Sequence, residues 1–461
     1  MKNTLKGKSG HTRFRKNSHR NDNMKEKLAL SIVKRLTDNG FQAYFAGGYV
    51  RDMLLGLEHD EDIDIATDAK PSTVANLFPN TVGVGEHFGV MLVIKRNIPF
   101  EVATFRTDGE SEDGRHPKSV TFADAGADAL RRDFTINGLF YDPMKKKVLD
   151  FVNGKKDLKA GVIRSIGDAQ LRFREDYLRL LRGIRFAAHF SFTIELDTWK
   201  AITDNAEKIN RVSRERVFQE LSKMLIGPHP DTAVSLLDKS GLLAVILPEV
   251  SDLKGIEQPV DFHPEGDVFT HTLKTLSFLQ NPTPVLAWSA LLHDIGKPAT
   301  FSHTDRIRFN NHGRVSARMA KNILRRMKSS RALMNDVYAC IDNHMNFINV
   351  TEMRLSTLKK FLSRKTLGDE LELHRADCLA SHGNTDNYTF LVSKKKEMDE
   401  AALKPKPYLT GKDLITLGFT PGPIFGVILD KVYDLQLDEK ITTPEEARTW
   451  VKKHKKELLS H

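Results

Sequence analysis

The stretch AGGYVRDMLLGLEHDEDIDIATD, residues 46–68, decides the fold. Phe41 to Phe45 reads as a short strand running into Gly47-Gly48, and a helix is expected from about Tyr49 to Leu55. A second strand over 61–66 carries Asp62 and Asp64. Residues two apart in a strand point to one face, so the two carboxylates project together while Ile63 and Ile65 turn into the core. Neighbouring carboxylates repel unless a cation lies between them. The Gly pair lets backbone N–H groups approach a phosphate closely beside a helix N-terminus. Either feature alone is explained by a common turn or a solvated strand face. In this order and spacing they point to chemistry on a nucleoside triphosphate.

Working outward, 461 residues are too many for one ordinary domain, and two to four units are expected. A formal charge of +10 favours an acidic partner, with RNA the obvious candidate, although many basic proteins never touch nucleic acid. Only Cys340 and Cys378 are present, which excludes a disulfide framework and fits a reducing cytoplasm. No apolar run approaches the length of a membrane span, and the N-terminus lacks the hydrophobic core of a signal peptide. Residues 1–23 are polar and basic and are expected to form a disordered arm.

From Met24 the expected order is helix (24–38), strand (41–45), helix (49–55), strand (61–66), helix (71–77), strands 81–85 and 89–95, and the strand FEVATF, 100–105. Glu101 shares a face with Ala103 and Phe105; it is either a third metal carboxylate beside Asp62 and Asp64 or a sheet-edge Glu. The stretch TDGESEDGRHPKS, 107–119, is polar and nonperiodic, as mobile lids often are. In RRDFTINGLFYD, 131–142, Asp133 and Asn137 lie four apart on an expected helix and share a side. In LRFREDYLRLLRGIRFAA, 171–188, Leu178, Leu181, Ile184 and Ala188 recur at helical spacing, while Asp176, Arg179, Arg182 and Arg185 continue a charged ridge.

GGYVRDMLLG followed by DIDIAT, with RRDFTIN and Glu-Asp-x-x-Arg further on, resembles the polymerase-beta-like nucleotidyltransferases, specifically the class II CCA-adding enzymes and their poly(A) polymerase relatives. The resemblance implies template-independent addition of CMP and AMP to tRNA 3′ ends from CTP and ATP. It makes Asp62 and Asp64 the catalytic carboxylates holding Mg²⁺, with Glu101 a candidate third catalytic carboxylate from its place on the strand face. It assigns Gly47, Gly48, Arg51, Arg132, Asp133 and Asn137, with Asp176, Arg179, Arg182 and Arg185, to nucleotide binding. Glu175, Asp176 and Arg179 then act as the protein template for the base. A carboxylate accepts from the exocyclic amine of cytosine or adenine while a guanidinium donates to the ring nitrogen; uracil and guanine place a carbonyl there instead. Poly(A) polymerases usually carry a basic segment where this chain has VGVGEHFGVMLV, which favours the tRNA-adding branch, with A-adding and CC-adding enzymes as alternatives.

Residues 261–385 change character. His271, the His293-Asp294 pair in LLHDIGKP, and Asp377 in HRAD resemble the HD phosphohydrolase pattern, with His312 and His344 able to complete a second metal position. Neutral imidazoles and carboxylates suit Mn, Fe, Ni or Mg. The expected fold is α+β: a nucleotidyltransferase head (24–148), a helical neck with the base-reading helix (149–260), a helical HD domain (261–390) and a helical RNA-contacting tail (391–461). The rival reading is an HD phosphohydrolase whose head only binds nucleotide.

Overall fold

The structure, a computed structural model, describes residues 11–57, 62–85, 89–108, 120–259, 266–303 and 306–459. The chain divides into two compact units, one of residues 1–224 and 235–246, the other of 225–234 and 247–461. The expected head and most of the expected neck therefore share the first unit.

The first unit begins with α1 (His11–Asp38), whose Ala29, Ile32, Val33 and Leu36 are fully buried. The helix thus reaches back through residues 11–23, which the sequence reading left as a disordered arm. That stretch holds no Pro or Gly to stop it, and its Arg and Lys residues are good helix formers. Residues 1–10 lie outside the described residues. Strand β1 (Ala43–Ala46) leads into α2 (Gly48–Leu55), then β2 (Asp64–Thr67), α3 (Pro71–Leu77), β3 (Thr81–Gly85), β4 (Val90–Lys95) and β5 (Ile98–Thr104). A small pair, β6 (Arg106–Asp108) and β7 (Val120–Phe122), flanks residues 109–119. Of the expected mobile lid, 107–119, Thr107 and Asp108 belong to β6, and the rest lies outside the described residues. Helix α4 (Ala125–Leu130) and the hairpin β8 (Leu139–Asp142), β9 (Lys147–Asp150) follow.

Seven strands form one sheet in the order β3-β4-β5-β2-β1-β8-β9. All neighbours are antiparallel except β2 and β5, which run parallel with Ile65 beside Val102. Ala46 pairs with Asp64, and paired residues share a face. On that face Ala46, Ala66 and Phe140 pack with Phe105, Ala125 and Ala129, so α4 lies against it. Ile63 and Ile65 are buried and Asp62 and Asp64 exposed, the alternation the sequence predicts. The strand itself starts only at Asp64, so Asp62 precedes it.

Two expected helices are absent as such. Around Asp133 the chain leaves α4 at Arg131, bends at Arg132 and Asp133, is extended at Phe134, and makes only a 3-10 turn, Thr135–Asn137. Asp133 accepts both the Phe134 N–H, at 2.8 Å, and the Asn137 amide, at 3.0 Å, which offers the backbone an alternative to helical bonds. The stretch 171–188 is two helices, α6 (Ala169–Glu175) and α7 (Leu178–Phe190), once α5 (Gly154–Ala160) has been passed. Asp176 sits between them in extended conformation and accepts the Leu178 N–H at 3.0 Å, acting as a stop and a restart. Leu178, Leu181, Ile184 and Ala188 are buried, as their spacing predicts. Helices α8 (Leu196–Asp204) and α9 (Arg214–Leu225) complete this part.

The second unit is helical among its described residues apart from a short hairpin, Phe301–His303 with Ile307–Phe309. Its last three larger helices, Gly411–Thr416, Ile424–Leu437 and Pro444–Lys453, close a core of their own around Leu414, Ile428, Val432 and Val451. Thr443 caps the last of these by accepting the Glu446 N–H, with Pro444 in the first turn.

Candidate active site

The first candidate site is built where β1 turns into α2. Gly47 has φ of 68°, which only glycine adopts without strain, and a Cβ there would stand 3.2 Å from Arg132 Nη1 and 3.9 Å from Asp64 Oδ2. The turn is thus a cradle near a guanidinium and a carboxylate, at the N-terminal end of α2. Asp64 and Glu101 occupy corresponding positions on parallel neighbours, one residue before the Ile65–Val102 pair, and both are exposed. Ala103 stays on the Glu101 side of the sheet, and Phe105, beyond the end of β5, is buried in the cluster with Ala46 and Ala66 on that same face. Asp62 is 84% exposed at its side chain and holds the Lys25 ammonium at 2.5 Å. An exposed pair of this kind is worth little, so the ammonium is readily exchanged for another cation.

Behind the cradle runs a chain of polar groups. Asp52 holds Arg51 through bonds of 2.7 and 2.9 Å, and Arg51 donates to Asn137 Oδ1 at 2.8 Å. Asn137 donates to Asp133 at 3.0 Å, and Asp133 accepts from Arg182 on α7 at 2.7 Å. Arg51 also lies over the rings of Phe186 and Phe190. Arg51, Asp52, Asp133 and Asn137 are buried. Burial by itself would raise the Asp133 carboxyl, but the Arg182 charge, the Asn137 amide and the Phe134 N–H outweigh it and bring it down to about 2. Of the residues expected to touch nucleotide, Arg51, Asp133 and Asn137 are thus tied to one another. Arg132 is held by Asp128 at 3.1 Å, a partner that i,i+4 spacing could have disclosed.

The charged ridge of the base-reading segment does not form by i,i+3 pairing. Arg179 pairs with Glu175 at 2.6 Å, Asp176 with Arg216 of α9 at 2.6 Å, and Arg185 with Glu220 at 2.7 Å. Asp176 leaves the helix before Arg179 enters it, so the two do not share a helical face. Arg216 thus braces Asp176 from α9; Glu220 and Lys25 gave no local signal.

In the second unit the structure gathers all six expected metal-ligating residues. His271, His293 and Asp377 form one group and Asp294, His312 and His344 another, with ligand atoms within 4.8 Å of each other in each. His271 Nε2 is 2.9 Å from Asp377, and Asp294 lies 3.2 Å from His293 Nε2 and 3.4 Å from His312 Nε2. His293, His312 and His344 each direct Nδ1 at a backbone carbonyl, of Ala290, Phe309 and Ile341, at 2.9, 2.8 and 2.6 Å. That bond fixes the tautomer and leaves Nε2 with a lone pair facing the cluster. His293 Nε2 is buried and makes no hydrogen bond. Burial pushes His344 down to about 3 and lowers His312, keeping both imidazoles neutral at pH 7. Asp294 stays ionised, since His293 and the buried Lys297 ammonium, 2.7 Å away, overcome the burial that would raise it. Neutral imidazoles with ionised carboxylates are the donor set of a divalent transition metal.

The CCA-adding enzyme of Leuconostoc mesenteroides is 31% identical over 415 residues, 88% of this chain and 90% of that protein. The chain belongs to the CCA-adding enzyme family. The CCA-adding enzyme of Geobacillus thermodenitrificans is 43% identical over 215 residues, so the chain spans about half of that relative's length, 53%. The family models place a poly A polymerase head domain at residues 43–164, a probable RNA and SrmB-binding site of polymerase A at 191–254, and an HD domain at 268–379. A crystal structure of the Bacillus stearothermophilus CCA-adding enzyme in complex with CTP matches with a TM-score of 0.73 at 27% identity, covering 93% of this chain and 97% of that one. The candidate cradle and its chain of buried polar groups fall within the head-domain match, apart from Arg182, and the two histidine groups within the HD match. No helix among the described residues is long and apolar enough to cross a membrane.

Proposed function

We propose that this chain is a template-independent nucleotidyltransferase that adds CMP and AMP to the 3′ end of tRNA, using CTP and ATP and releasing pyrophosphate in the cytoplasm. The observation that carries the reading is the Gly47 cradle, flanked by Arg132 and Asp64 with Glu101 on the next strand. Asp64 and Asp62, with Glu101 in support, would hold magnesium. Bound there, it would supply charge neutralisation for the triphosphate and lower the pKa of the attacking hydroxyl. Arg132 and the first N–H groups of α2 would orient the phosphates. The 3′-oxygen then bonds to the α-phosphorus as the bridging oxygen leaves with pyrophosphate. The chain Asp52–Arg51–Asn137–Asp133–Arg182 would hold the cradle and α7 in fixed register, which is how positioning contributes to a displacement of this type. Separate tRNA transcripts ending before CCA, after C and after CC, each incubated with single triphosphates and with pairs, test it. Completion of CCA on all three supports the reading, and no extension of any refutes it. Products stopping at CC, or A added only after CC, would place the chain among the partial enzymes.

Base choice is assigned to Asp176 and Arg179, which requires Asp176 to exchange its Arg216 contact for the exocyclic amine. Asp176→Asn keeps an acceptor for the Leu178 N–H but loses the charge. Its preference for CTP over UTP should fall by roughly 10- to 100-fold in kcat/KM for single-nucleotide addition. An unchanged ratio would remove Asp176 from the base-reading role.

The histidine groups support a second activity, hydrolysis of cyclic or terminal nucleotide phosphates. His271, His293 and Asp377, and Asp294, His312 and His344, would hold Mn, Ni, Fe or Mg, which would supply an activated water. Manganese or nickel at about 100 times its Kd should stabilise the second unit by about 2.7 kcal/mol, seen as a rise in melting temperature. His293→Ala should remove that rise. A metal-independent melting temperature would sink the assignment.

A further inference from the structure

Between Arg306 and Arg331 the chain carries nine Lys and Arg residues and no Asp or Glu, against a formal +10 for all 461 residues. Most of this stretch is the helix His312–Arg326. Its buried side is small and apolar, with Ser316, Ala317, Ala320, Ile323 and Leu324, and it packs on the helix Arg331–Asn343. Arg314, Arg318, Lys321 and Arg325 follow at spacings of four, three and four. At about 100° per residue they fall in one stripe roughly 60° wide, and at 1.5 Å rise they stand about 4.5–6 Å apart along the axis. Arg314, Arg318 and Arg325 are exposed, and the Lys321 ammonium lies over the Tyr338 ring at 5.3 Å. Among the described residues none of the four has a carboxylate partner, whereas their neighbour Arg326 is paired with Glu249 at 2.7 Å.

A solvated helix face ordinarily mixes signs, because like charges three or four apart destabilise the helix. Here every such charge–charge contact along the stripe is repulsive, and among the described residues no carboxylate offsets it. Arg318 donates to the Arg314 carbonyl and Arg325 to Asn322 Oδ1, both at 3.4 Å, which leaves the charges in place. A regular row of guanidinium and ammonium groups without carboxylate partners is complementary to a row of phosphates, whose condensed counterions are released when it binds. We propose that the exposed face of the helix His312–Arg326 is a docking track for the phosphodiester backbone of the tRNA substrate. The row starts two residues after His312, so the track begins at the histidine cluster. This rests on the reading of the chain as a tRNA-extending enzyme for the identity of the polyanion. Binding through this row is sequence-independent, since guanidinium and ammonium contacts to phosphates position a nucleic acid without reading its bases.

The test is the full chain carrying Arg314→Gln, Arg318→Gln and Lys321→Gln together. Gln is a good helix former and the changed side chains lie on the helix's outward stripe, so the melting temperature should hold or rise. Binding of a tRNA transcript lacking CCA is measured between about 50 and 200 mM salt. The plot of log affinity against log salt should become shallower by about 2 to 3, with affinity at low salt down by at least roughly tenfold. CTP incorporation at saturating tRNA should match the unsubstituted chain. An unchanged salt slope overturns the proposal. So does loss of binding to anionic phospholipid vesicles with tRNA binding intact, which would assign the face to a membrane surface. Failure of the unsubstituted chain to extend any transcript would strike the nucleotidyltransferase reading alone, since the salt slope is read without catalysis.

Discussion

Asp64→Ala is expected to lower CMP transfer from CTP by on the order of 10³-fold at unchanged fold, measured by single-turnover extension of a transcript lacking CCA. Asp64 is exposed at the start of β2, so the truncation empties no core; the neighbours that fix the strand, Ile63 and Ile65, remain buried. What the variant loses is a carboxylate beside the Gly47 cradle, 3.9 Å from where a Cβ would stand. A developing charge on the triphosphate is then left with the guanidinium but without the cation that the carboxylates would hold, several kcal/mol of transition-state stabilisation. Asp62→Ala should behave alike, with one added signature: it releases Lys25, its exposed ion-pair partner, at negligible cost to stability. Glu101→Ala separates two roles. A metal-holding Glu101 costs rate as Asp64 does, and a plain strand-edge Glu costs none. Appreciable residual transfer in both the Asp62 and Asp64 variants would move the chemistry elsewhere.

Local patterns were readable where a residue's role is set by its own neighbours in sequence. Alternation placed Ile63 and Ile65 inward and the acids outward, the Gly pair announced the turn, and the 3.6-residue period placed Leu178, Leu181 and Ile184 in the core. The six donors of the second unit come together because each sits on or next to a helix, the element that sequence describes best. What was not readable is pairing at a distance. Asp176 and Arg179 look like an i,i+3 pair, yet Arg216, 40 residues on, takes Asp176, and Glu175 takes Arg179. Lys25 reaches Asp62 across 37 residues. The helices expected through Asp133 and Asp176 fail for one shared reason: a short carboxylate accepts a nearby backbone N–H and ends the ladder. In both places the departure from helix is what frees the acid to meet an arginine from another element.

Asp133→Ala should destabilise the first unit by about 3 kcal/mol, at the low end for breaking a buried ion pair because Arg182 keeps 32% of its side chain exposed. In a unit of this size that is a fall of roughly 10 °C in melting temperature. The loss is not that of one bond. Asn137 loses its acceptor, and the guanidinium of Arg182 is left on α7 with Glu220 and Asp176 already claimed by Arg185 and Arg216. The double variant Asp133→Ala/Arg182→Met should recover most of the stability, because an apolar pair of similar volume can replace a buried ion pair. It should not recover transfer if the chain from Arg51 to Arg182 positions the cradle against α7, so stability and kcat part company in that variant alone. Acid gives an independent reading. The Asp133 carboxyl is depressed in the folded state, so its contribution is fully present above the unfolded pKa of about 3.9 and fades as pH falls toward about 2. A pH titration of stability should therefore show a step between about pH 4 and 2 that Asp133→Ala abolishes. An unaltered acid limb in the variant would remove Asp133 from the linkage.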